Sequence, residues 1–232
     1  MDITVPTISG DQIDGYLAEP LRAGSHPGVV VIHDAIGLSD DTKAITERFA
    51  SSGYLALAPN LYSRGGIRCI KTVFRAMLSG RGQAFDDIDA ARGLLADRPD
   101  CTGKVGVVGF CMGGGFALVA AAKGFDASAP YYGQLPKDLS VLDEACPIVA
   151  SFGKKDRTLP RAAEKLETEL TERNIPHDVM EYPNAGHSFA NRIAGPLNVL
   201  AKFTGFGYCH EESEHAWRRV LSFFAEHMEE RE

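Results

Sequence analysis

This chain of 232 residues has no long apolar run, no CxxC pair, no internal repeat and no low-complexity tract. Its most apolar stretch, Phe116 to Ala122, is far short of the roughly 20 residues that a membrane helix needs, so no membrane partner is expected. The opening residues MDITVPTISGDQIDG carry neither a basic leader nor an apolar segment, so no secretory signal is expected. The five cysteines are odd in number, and without export a reducing cytoplasm is their natural setting. The default reading of each is a small buried hydrophobe. Cys and His do not fall at zinc-ligand spacings, so neither a metal nor an organic cofactor is expected. Acidic side chains number 31 against 24 basic, a net charge of −7. That excess argues against nucleic acid, which needs clustered Lys and Arg. A local absence is sharper. No Asp or Glu lies between Arg48 and Phe85, yet that stretch holds Arg64, Arg68, Lys71, Arg75 and Arg81.

What is present is the mix of a globular domain, with 44% hydrophobic and 24% charged residues. The length suits one domain over 1–232, as a monomer or a small homo-oligomer. Short β-rich runs alternate with helical patterns, which predicts an α/β fold with a mostly parallel central sheet and helices on both faces. Strands are predicted at 28–33, 54–59, 104–110, 147–152 and 177–182, after an N-terminal hairpin. Helices are predicted behind Ser39 and over 86–97, 112–123, 160–173 and 211–227. Two irregular stretches, 61–82 and 191–209, have the length of binding elements or of a surface helix with its loop.

The sharpest pattern is Val107-Val108-Gly109-Phe110-Cys111-Met112-Gly113-Gly114. A β-run enters G-x-C-x-G and a helix leaves it, which is the form of a nucleophile elbow with Cys in place of Ser. The turn sets the sulfur at a helix N-terminus, where free N–H groups and the helix dipole favour thiolate. The Met112 N–H would then face the carbonyl oxygen under attack. Asp156 and His187 follow, each in a loop just after a predicted strand. Loops at the carboxyl ends of parallel strands share one sheet edge, so nucleophile, acid and base can converge. His187 would move the thiol proton, and Asp156 would hold its tautomer. His33, at the end of its own strand, reads as structural or supporting rather than as the base.

These segments resemble the dienelactone hydrolase family of α/β-hydrolases. Further matches are Val31-Ile32-His33-Asp34, Gly37-Leu38, Ala56 to Tyr62, Tyr131-Tyr132-Gly133 and Gly186-His187-Ser188-Phe189. The resemblance implies a Cys111, Asp156 and His187 triad, with the Ala35 N–H as second oxyanion donor. The family usually has Glu where Asp34 stands, an acid that contacts the thiol, so Asp34 is the expected counterpart. Members that open dienelactone bind its carboxylate with arginines, one shortly after the Gly-His-Ser-Phe segment. Here Asn191 fills the nearest place and Arg192 follows. Arg64, Arg75, Arg81, Arg192 and Tyr132 are therefore the expected substrate-binding set, and an anionic ester or lactone the favoured substrate. The expected activity is opening of small esters or lactones through an acyl-enzyme. The alternatives are a thioesterase or acyl-carrier hydrolase with the same triad, and a redox-sensing thiol without catalysis.

Overall fold

The computed structural model describes residues 1–192 and 207–228. One eight-stranded sheet organises them: β1 (Asp2–Pro6), β2 (Gln12–Ala18), β3 (His26–Ile32), β4 (Leu55–Pro59), β5 (Cys101–Phe110), β6 (Ala127–Tyr131), β7 (Ile148–Gly153) and β8 (His177–Tyr182). Their spatial order is β1-β2-β4-β3-β5-β6-β7-β8. The β1–β2 hairpin joins β4 antiparallel, and the pairs from β4 through β8 are parallel. The helices are α1 (Asp40–Ser51), α2 (Ile70–Ser79), α3 (Gln83–Ala96), α4 (Met112–Ala120), α5 (Ala162–Glu172) and α6 (His210–Met228).

Burial on both faces explains the unbroken apolar runs of the central strands. In β3, Val30 and Ile32 face one core with Val107 of β5, while Val29 and Val31 face the other with Val108 and Phe110. The first core is roofed by residues of α2, α3 and α4, and the second by α1 and α6. A third cluster joins α5 and β7 to the end of α4. On the α1/α6 side Trp217, the chain's one tryptophan, sits 4.4 Å from the Phe49 ring, with the Arg48 guanidinium 4.1 Å above it.

Helix starts obey local chemistry. Ser39 Oγ accepts the Thr42 N–H at 3.3 Å, and Asp40 and Asp41 sit in the first turn of α1, where the dipole favours negative charge. Two elements lie outside the predicted set. β6 is made of Ala-Ser-Ala-Pro-Tyr, all but the tyrosine of weak strand preference, and is fully buried between β5 and β7. The stretch 61–82 contains α2, whose Val73, Ala76 and Met77 face the core. Most of the stretch 191–209 lies outside the described residues. Among those described, no helix is long and apolar enough to cross a membrane.

Candidate active site

β5 ends at Phe110 and α4 begins at Met112, so Cys111 is the entire connection. Its backbone is forced to φ 55° and ψ −113°, in the positive-φ region that side-chain-bearing residues avoid. The flanking glycines make this turn possible. A Cβ on Gly109 would lie 1.9 Å from the Gly113 carbonyl oxygen, and one on Gly113 would lie 2.3 Å from that of Ile32. The expected crowding of strand and helix is what the elbow contains. Cys111 N–H continues the sheet by donating to Tyr131 O at 3.1 Å.

The loop after β7 brings Asp156 and the loop after β8 brings His187, both buried. His187 Nδ1 and Asp156 Oδ2 are 2.6 Å apart. The other Asp156 oxygen accepts the Thr158 N–H at 2.8 Å and its hydroxyl at 2.6 Å. Burial pushes the Asp156 carboxyl upward, but the hydrogen bonds from His187 and Thr158 outweigh it and hold the group below the usual carboxylate range. Burial would lower His187. Its N–H groups donate to Asp156 and to the Cys111 sulfur, which outweighs that, and its pKa rises to about 9. The structure thus brings Cys111, His187 and Asp156 into one hydrogen-bonded line.

The Met112 and Ala35 amides stand at the start of α4 and just after β3, and neither is engaged by an acceptor among the described residues. His33 determines how the second is held. It is fully buried, and burial pushes its pKa down to about 4, so it is neutral. Its Nε2 accepts the Leu61 N–H at 3.1 Å, which leaves the proton on Nδ1. Nδ1 donates to Asp34 O at 2.7 Å. That carbonyl belongs to the same peptide plane as the Ala35 N–H, so the ring orients both. Tyr62 closes this side, its hydroxyl 3.3 Å from Ala35 O and 3.6 Å from Met112 Sδ. Burial and the nearby Asp34 and Cys111 push the Tyr62 hydroxyl up to about 12.

Other expected residues stand differently. Asp34 makes no hydrogen bond to the Cys111 thiol. Its short side chain instead accepts the Ile36 N–H at 2.8 Å, an Asx turn closed within its own loop. The four arginines do not share a wall with the triad. Arg64, Arg75 and Arg81 line a cavity that includes neither Cys111, Asp156 nor His187. Arg192 lies over the Tyr208 ring at 4.8 Å and hydrogen-bonds its hydroxyl at 3.2 Å. Only Tyr132 is at the triad, fully buried, with its ring 5.2 Å from that of His187. Its hydroxyl donates to Asn191 Oδ1 at 2.5 Å, and Asn191 Nδ2 donates to Asp41 at 2.9 Å. Thr158 and the link through Asn191 to Asp41 are parts of the site that the sequence does not announce. Asn191 links Tyr132 of the sheet edge to Asp41 of α1. Among the described residues no cluster of His, Cys, Asp and Glu could hold a metal ion.

A sequence model of the dienelactone hydrolase family matches residues 13–228. The chain belongs to the dienelactone hydrolase family. It is similar to a carboxymethylenebutenolidase of Pseudomonas putida, 30% identical over 81% of this chain and 85% of that one. Among solved structures it superposes with TM-score 0.80 on a dienelactone hydrolase-like promiscuous phosphotriesterase from metagenomic libraries, 23% identical, covering 99% of each chain. A dienelactone hydrolase from Anabaena variabilis superposes with TM-score 0.71 at 21% identity, over 99% of this chain and 98% of that one. These likenesses fix the architecture as the α/β-hydrolase fold, and family membership makes the chain a hydrolase.

Proposed function

We propose that this protein opens small esters or lactones by nucleophilic catalysis at Cys111. The observation that carries the reading is the position of His187, bonded to Asp156 at 2.6 Å and to the Cys111 thiol. Cys111 Sγ attacks the carbonyl carbon as a thiolate, its proton already held on His187 Nε2 as the imidazolium that the raised pKa favours. The carbonyl π electrons move to oxygen, where the Met112 and Ala35 N–H groups receive the negative charge. On collapse the C–O bond breaks and His187 protonates the departing alkoxide, leaving an acyl-thioester. Water then attacks with His187 as base. The carboxylic acid leaves and the thiol is restored. Asp156 stays ionised and stabilises the imidazolium. Thr158 holds the second Asp156 oxygen, so the carboxylate cannot rotate away from the ring.

The test is turnover of p-nitrophenyl acetate, dienelactone and an acyl thioester by the intact protein, Cys111→Ala and His187→Ala. Loss of ester and lactone turnover in both variants is expected. Full turnover in Cys111→Ala would remove the mechanism. Turnover of the thioester alone would transfer the same triad to thioester substrates.

A further inference from the structure

A hollow with a largely apolar lining belongs to α2 and the turn into α3, not to the triad. It has a volume of about 380 Å³. Val73, Ala76 and Ala84 form its buried floor, and Arg68, Arg75 and Arg81 its exposed rim. The α2 residues Thr72, Arg75, Ala76 and Ser79 follow the spacing of one helix face, so a single stripe of the helix supplies both greasy and charged surface.

The charge at this rim is concentrated and unpaired. Half of the arginines among the described residues hold a carboxylate partner. Arg64, at the same cavity, is one of them, clasped by Asp11 and by buried Asp87. Arg68, Arg75 and Arg81 hold no carboxylate among the described residues. The sole acid in the lining, Asp87, has both oxygens taken by Arg64 at 2.6 and 2.9 Å. Three uncompensated guanidinium groups therefore surround an apolar floor. The acid-free stretch of the sequence is the reason: no side chain within it can neutralise them.

We infer that this cavity is a second ligand site, separate from the triad, for a free carboxylic acid with an apolar body of medium length. The guanidinium forks suit a carboxylate, which two of them can hold in bidentate fashion. The floor suits an alkyl chain. At ~30 Å³ per non-hydrogen atom, the share a water molecule takes in liquid, the cavity holds about a dozen such atoms, the size of decanoate. Cys69 also lines the cavity and serves as its reporter.

The test uses the full-length protein and decanoate as the probe. Calorimetric titration is run on the intact protein, on Cys111→Ser and on the Arg75→Glu/Arg81→Glu double variant, with decan-1-ol as the neutral control. Site-resolved mass spectrometry after limited alkylation follows Cys69 and Cys111 separately. Expected results are one decanoate per chain, unchanged in Cys111→Ser, and at least tenfold weaker binding in the double variant, whose exposed side chains spare the core. Decanoate should slow alkylation of Cys69 and leave Cys111 unaffected. Equal binding of decan-1-ol, unchanged affinity in the double variant, protection of Cys111 instead of Cys69, or no binding at all would each overturn the inference.

Discussion

Replacing Asp156 by Asn keeps the shape of the carboxylate and removes its charge. His187 now owes its pKa of about 9 to that charge and to Cys111, against a burial effect that works the other way. The rise from 6.5 to about 9 corresponds to roughly 3 kcal/mol in favour of imidazolium. Without Asp156 the burial effect gains weight, and the His187 midpoint should fall below 6.5. The imidazolium that partners the attacking Cys111 sulfur loses the same support, so kcat/KM at pH 7 should drop about 10²-fold. The assay has two parts: a proton NMR titration of the histidines from pH 4 to 10, and kcat/KM for p-nitrophenyl acetate over the same range. Stability gives a third readout, and its sign follows from linkage. The folded state holds the His187 proton more tightly than the unfolded chain. Its contribution is therefore complete below about pH 6.5 and is lost as pH rises to about 9. Urea midpoints of the intact protein should decline across that window, and those of Asp156→Asn should decline less. A wild-type His187 midpoint near 6.5, or a midpoint unmoved by the substitution, would refute the reasoning.

Other perturbations test other parts. Gly109→Ala drives a methyl to within 1.9 Å of the Gly113 carbonyl, and roughly 3 kcal/mol or more of stability should go with it, read by urea denaturation. Cys111→Gly should abolish ester turnover and raise stability by about 1 kcal/mol, because glycine accepts φ 55° without strain; a less stable variant would refute the strain argument. His33→Asn keeps polarity but cannot bridge Asp34 O and Leu61 N. It should lower kcat at least tenfold with little change in KM, while Leu61→Ala, which retains the backbone N–H, should not reproduce that split. Tyr132→Phe strands the Asn191 amide and should cost about 1–2 kcal/mol of stability, seen as a lower urea midpoint.

The parts of this fold legible in the sequence are those where local chemistry and tertiary context agree. The Val-rich run of β3 is apolar on both faces because helices cover both. The convergence of Cys111, Asp156 and His187 is readable because each lies just after or in the loop that follows a strand of a parallel sheet, and such a sheet gathers those ends on one edge. β6 is the counter-example. Its small residues carry no strand signal, and only the hydrogen-bonding edges of β5 and β7 make it extended. Asp34 shows a different limit. Its position after β3 was readable, but whether its carboxylate reaches the thiol or closes on Ile36 depends on one methylene and the loop's own geometry. The arginines show a third. Sequence places them after β4, but the fold of α2 determines which hollow they face, and it directs Arg75 and Arg81 away from the triad's lining. Asn191 needed two partners from distant elements, Tyr132 and Asp41, before its role had any meaning.

Trp217 gives the molecule a built-in optical division. It is wedged between Phe49 of α1 and the rest of α6, beneath the Arg48 cation, and no triad residue touches it among the aromatic contacts described. Its emission reports whether that helical layer is docked. Chemistry at Cys111 should leave it dark to change. An unfolding curve followed by tryptophan therefore samples the α1/α6 layer and one followed by lost hydrolysis the carboxyl edge of the sheet, and any gap between them would measure how far that edge loosens before the helical layer does.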